Sequence, residues 1–151
     1  MKTKTIIISF FTILLFIFTS CNKYKSDEIL GEWDIESYHV NDYDSTAFFN
    51  QFEYSHIIIT DSESDHIVLQ FVRYHDFMTI VFEGNWNLTK RNTQLTMQYN
   101  TVYNHGVENW FEIGPFTEYA FSDWGIKHLS NSSFQLECKM DGNNYKLNLT
   151  K

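Results

Sequence analysis

Side chains able to do chemistry are few and scattered in this chain. The histidines are His39, His56, His66, His75, His105 and His128. No two stand at the spacing that puts paired imidazoles on one helix face, and no His-x-Glu or Cys-x-x-Cys accompanies them. Each reads as a strand or surface residue, so no metal ligand set is expected. The run Asp61-Ser62-Glu63-Ser64-Asp65-His66 offers several oxygens of the kind Ca²⁺ takes. It lacks the central glycine and the distal bidentate glutamate of an EF-hand loop, and reads as a solvated hairpin tip. The cysteines are Cys21 and Cys138. Cys138 falls on the apolar side of the alternation Phe134-Gln135-Leu136-Glu137-Cys138, the position of a small buried residue. A nucleophilic thiol would need a neighbouring base and an electropositive setting. Gly-x-Ser-x-Gly, P-loop and dinucleotide fingerprints do not occur. No catalytic residue and no cofactor is expected, and the chain reads as a non-enzyme.

The elements that would position these residues are strands. Gly31-Glu32-Trp33-Asp34-Ile35-Glu36 alternates apolar with acidic residues, the pattern of a half-buried β-strand. Phe52, Tyr54, His56 and Ile58 alternate with Glu53, Ser55, Ile57 and Ile59, after a brief helical turn over 47–50. His66–Tyr74 and Asp76–Glu83 are two apolar strands, and Gly84-Asn85-Trp86-Asn87-Leu88 restarts the Gly-x-Trp pattern. Leu95, Met97 and Tyr99 mark another strand; Glu108–Ile113 and Phe116–Trp124 give one or two more. Leu129–Ser133 reads as loop, and Phe134–Met140 and Tyr145–Thr150 form a hairpin around Asp141-Gly142. Eight to ten short strands without a long amphipathic helix mean an all-β domain, sandwich or barrel. Acids face outward on the first strand, and Lys139 and Lys146 on the last hairpin. Pairing of those strands would close the sheet into an up-and-down antiparallel barrel without edges, and closure is expected.

Charge narrows the partners. The 151 residues carry a net charge of −8, and losing a segment with Lys2 and Lys4 makes the rest more acidic still. Nucleic acid needs clustered Lys and Arg, so it is not an expected partner. Asn87, Asn131 and Asn148 open N-glycosylation sequons, which matter only in a eukaryotic secretory pathway.

The N-terminus reads as an export signal. Lys2 and Lys4 precede the apolar stretch Ile6–Phe18, too short for a permanent transmembrane helix, and small residues follow. Phe18-Thr19-Ser20-Cys21 resembles the lipobox of bacterial lipoproteins, which implies cleavage before a lipidated Cys21. The division expected is a signal peptide over 1–20, a flexible polar tether over 21–28 and one domain over 29–151. A lipidated Cys21 would tether the protein to a bacterial cell-envelope membrane, the outer membrane above all, and leave Cys138 without a disulfide partner.

With the lipobox cysteine and polar tether, Ile29-Leu30-Gly31-Glu32-Trp33, Gly84-Asn85-Trp86 and the final Asp-Gly hairpin make residues 21–151 similar to the bacterial lipocalin-like lipoproteins. The Gly31-x-Trp33 signature carries most of the likeness. The resemblance implies an eight-stranded up-and-down barrel without catalysis, a small apolar ligand at its open end, and Trp33 packed across its closed end. The family's usual partner for that tryptophan is a late arginine. Here Arg73 and Arg91 are mid-chain, and the late basic residues are Lys139, Lys146 and Lys151.

Aromatic residues make up 18% of the chain, so rings either fill the interior or line a cavity in it. An eight-stranded barrel is only wide enough for side chains or one small ligand. Trp33, Phe52, Tyr54, Phe71, Tyr99, Trp110, Tyr119 and Phe134 are the candidate lining residues. Two functions stay open. One is a lipid-anchored barrel that binds a small hydrophobic or amphipathic ligand. The other is a packed barrel acting by protein contact, as an inhibitor, an immunity-type protein or an accessory subunit of an outer-membrane assembly.

Overall fold

Period-two alternation builds nine strands in the computed structural model, which describes residues 23–61, 65–73, 78–105 and 122–151. A one-turn helix α1 (Ser26–Ile29) leads into β1 (Gly31–Val40) and the short β2 (Tyr43–Asp44). A 3-10 helix (Thr46–Gln51) precedes β3 (Tyr54–Ile59), β4 (His66–Arg73) and β5 (Met78–Thr89). Then come β6 (Gln94–His105), β7 (Asp123–Leu129), β8 (Ser133–Met140) and β9 (Asn143–Thr150). Each strand from β3 onward pairs antiparallel with the next, and β1 pairs with both β3 and β9. That last pairing runs from Asp34↔Thr150 to Val40↔Tyr145 and closes an eight-stranded barrel, with β2 as a short addition.

Bulges set which residues face inward. Glu36 is the extra residue where the β1–β9 register shifts between Ile35 and Ser37. Trp33 is therefore inside before the bulge and Tyr38 inside after it, although their spacing is odd. Asn100 is the extra residue of β6, opposite the Glu83–Gly84 step of β5. Asp141 (φ 49°) and Gly142 (φ 82°) form the tight turn between Met140 and Asn143. Two successive positive φ values suit a two-residue hairpin, and an Asp-Gly pair supplies them at low cost.

The interior is one cluster. Trp33, Trp124, Phe71 and Phe134 are its largest fully buried side chains. Inward rows of isoleucine and leucine join them, including Ile57, Ile59, Ile67, Leu69, Leu147 and Leu149. Gly84 does not open a new strand: it lies in the middle of β5, so the second Gly-x-Trp is a mid-strand feature. The loop expected over 129–133 is shorter, because Leu129 ends β7 and Ser133 begins β8. The strands expected over 108–113 and 116–121 lie outside the described residues. The charge pairing expected across the closing strands also takes another form. Lys146 bonds to Asp42 in the turn beyond β1 and stands opposite Glu137 of β8. Glu32 and Asp34 instead face His56 of β3.

Candidate ligand site

One end of the barrel is shut by its own chain. The expected tether is already docked from Lys23 onward: the Lys23 N–H donates to the Arg91 carbonyl at 3.2 Å, and Asn92 Nδ2 donates to the Tyr24 carbonyl at 2.8 Å. The chain then turns into α1, whose first turn is closed by the Lys25 N–H donating to Glu28 Oε2 at 2.9 Å. Ile29 is fully buried beneath it. Trp33 Nε1 donates to the Ile29 carbonyl at 2.8 Å, and its ring packs on Phe134 at 5.2 Å between centroids. A buried indole N–H needs such a partner, which fixes how α1 lies over the end. The second Gly-x-Trp repeats the arrangement: Trp86 Nε1 donates to the Thr60 carbonyl at 2.7 Å.

Of the late basic residues, Lys151 is the one that meets Trp33. Its Nζ sits 4.2 Å from the Trp33 ring centroid and donates to the Leu30 carbonyl at 2.7 Å. A Cβ on Gly31 would come within 3.1 Å of Lys151 Cε and Nζ, and Gly31 has φ +124°. The glycine of the Gly-x-Trp signature thus leaves room for the cation over the tryptophan.

The other end is lined with rings. Phe71 on β4 is their hub: it stacks on Phe49 (6.0 Å, 18°), tilts against Phe52 (5.4 Å, 47°) and meets the edge of Phe82 (6.3 Å, 78°). Phe49 also meets Tyr38 edge-on at 5.7 Å, and Tyr38 stacks on Tyr145 at 6.3 Å. Phe49 reaches this cluster because the 3-10 helix fills the gap where β1 leaves β3. Their ladder stops at Asp34↔His56, and beyond it the Ser45 N–H bonds to the Tyr38 carbonyl and the Tyr38 N–H to Thr46 Oγ1. Ser55, opposite Phe71 in the register, has a buried Oγ with no hydrogen-bond partner among the described residues. A buried hydroxyl left so carries a desolvation cost of about 1–3 kcal/mol.

Of the expected lining residues, Phe52 and Phe71 sit together in this ring cluster. Trp33 and Phe134 are paired at the closed end instead. Tyr54 is not a lining residue: it is 45% exposed and stacks on His56 outside the barrel. Its alternation is real, but Ser55, Ile57 and Ile59 take the inner row and send Tyr54 outward. Tyr99 lies on β6 opposite Gly84. Cys21, Trp110 and Tyr119 lie outside the described residues. Sequence reasoning passed over Phe49; its signal was the adjacent pair Phe48-Phe49 in a helical turn, where one ring must face the barrel.

Among the described residues, two hollows lie apart from the ring cluster around Phe71. One, of about 470 Å³, lies at the closed end beside Glu28 and 129–132. The other, of about 60 Å³, lies among Asn85, Asn87, Thr96 and Gln98. Burial pushes the Cys138 thiol up to about 12, despite a hydrogen bond with Ser122, which leaves it no nucleophilic character at neutral pH. Comparison of the chain with protein-family models and with curated protein sequences finds no match.

Proposed function

We propose that the protein is a lipid-anchored barrel of the bacterial cell envelope that takes a small hydrophobic or amphipathic molecule among the rings around Phe71. The observation that carries this reading is the buried Ser55 hydroxyl, which faces those rings without a hydrogen-bond partner among the described residues. An apolar enclosure with a small number of placed polar groups is the usual composition of a small-molecule site. The 3-10 helix would be its door, since Phe49 and Phe52 reach the cluster from that one segment. The anchor rests on the lipobox-like Phe18-Thr19-Ser20-Cys21. Only Asn22 separates Cys21 from the docked Lys23, a gap that extended chain spans in about 7 Å. A lipid on Cys21 would therefore hold the closed end toward the bilayer and the ring-lined end away from it.

The close packing of Phe49, Phe52, Phe71 and Phe82 favours a second reading, a filled barrel that acts through protein contacts. Native mass spectrometry of the protein purified from its envelope separates the two. The binder carries a small molecule in wild type, and Phe71→Ala and Ser55→Val change its occupancy. Apo protein in every preparation, with no uptake of a fluorescent fatty acid, favours the filled barrel. In the same spectrum, a mass without acyl chains on Cys21 would remove the anchor.

A further inference from the structure

On the outer wall of the barrel, away from the rings, β1 and β3 bring three ligand-bearing side chains to one point. Glu32 and Asp34 are two apart on the outward row of β1, and His56 is the direct cross-strand partner of Asp34. His56 Nδ1 lies 2.5 Å from Asp34 Oδ1 and 3.3 Å from Glu32 Oε1. Ligand atoms of all three fall within 4.8 Å of one another. We infer that Glu32, Asp34 and His56 form a binding site for a divalent transition-metal ion of the Zn²⁺ class.

Charge and donor count carry the inference. Two carboxylates converge on one imidazole nitrogen, and a single proton on that nitrogen cannot serve both fully. Among the described residues, no lysine or arginine forms an ion pair with Glu32 or Asp34 to offset the two like charges. A dication placed between the three atoms meets both needs. Zn²⁺ takes nitrogen and carboxylate oxygen at about 2.0–2.2 Å, so neighbouring ligand atoms stand about 3.3 Å apart. The Glu32 oxygen is already at that separation from Nδ1, and the Asp34 oxygen reaches it by a small rotation about its own side chain. An imidazole donor selects against Ca²⁺ and Mg²⁺, which prefer oxygen alone.

The frame is stiff where it needs to be. The His56 side chain is only 13% exposed and its ring stacks on Tyr54 at 5.2 Å, which limits its swing. The carboxylates are 62% exposed, which leaves a fourth position open to water. Three protein ligands and one open position are the coordination of a Zn²⁺ site that holds an exchangeable ligand.

Isothermal titration of the untagged, chelator-treated protein with Zn²⁺ tests this, with Co²⁺ absorption as a second probe. The expected result is one ion per chain, with binding weakened at least tenfold in His56→Ala and in Asp34→Asn. His39→Ala, a histidine beside other acids, keeps wild-type binding. Bound Co²⁺ gives visible bands of a four-coordinate site that vanish in His56→Ala. All these positions face outward from the barrel wall, and an unchanged thermal melt without metal shows that the variants are folded. Wild type that binds no Zn²⁺, or His56→Ala that binds as wild type does, overturns the site.

Discussion

Burial holds the Cys138 thiol protonated until about pH 12, against an ordinary value of 9.0. A folded value above the unfolded one means that the protonated thiol favours the folded state. Its contribution is complete below pH 9.0 and is lost as pH rises from there toward about 12. Native protein at neutral pH should therefore resist iodoacetamide over hours, and guanidinium chloride should expose one rapidly labelled thiol. Fast native labelling of Cys138, read by peptide mass, would contradict the packing described. This residue was legible in the sequence because its strand alternates cleanly. Tyr54 was not, because both rows of β3 carry large apolar residues and period two alone does not say which row is inside. The meeting of His56 with Glu32 and Asp34 was equally hidden. It depends on a cross-strand register, which local spacing does not reveal.

At the scale of the element, the closed end works as one unit of α1, the start of β1 and the last residue. Gly31 has a backbone angle that other residues adopt only under strain, and a side chain there would push Lys151 off Trp33. Strain of that kind costs of order 1–3 kcal/mol, and an exposed cation–ring contact contributes about 0.5–1 kcal/mol. Gly31→Ala should lower the midpoint of thermal unfolding by roughly 3–10 °C, and Lys151→Ala by less. The double variant should lose less than the two single losses added together, since both act on the same contact. A Gly31→Ala melt matching wild type would refute the account. The Gly-x-Trp signature was plain in the sequence. The function of Lys151 was not, because a terminal lysine has no pattern until closure brings it beside residue 30.

For the whole molecule, the barrel was legible because turn residues and alternation agreed along most of the chain. The bulges at Glu36 and Asn100 were not, since each is one extra residue that only a partner strand can define. Closure places the ends together: Lys151 Nζ touches the Leu30 carbonyl. A circular permutant that joins residue 151 to residue 26 through a short glycine linker and opens between Asp141 and Gly142 should fold. Its far-ultraviolet spectrum should match the parent, with a single cooperative melt. A permutant that stays unfolded would mean that the Asp141-Gly142 turn is needed to start folding, not only to finish it.

The ladder between Asp34 and Thr150 also orders events in time. A chain emerging from the ribosome N-terminus first presents β1 long before the strand that zips along most of its length exists. Until the final eight-residue strand arrives, β1 and β8 each lack that neighbour and the cylinder is an open ribbon. Contacts so distant along the chain form slowly. The polypeptide consequently stays an open ribbon until Asn143–Thr150 is free to pair with both β1 and β8, and that one strand decides when the cylinder locks.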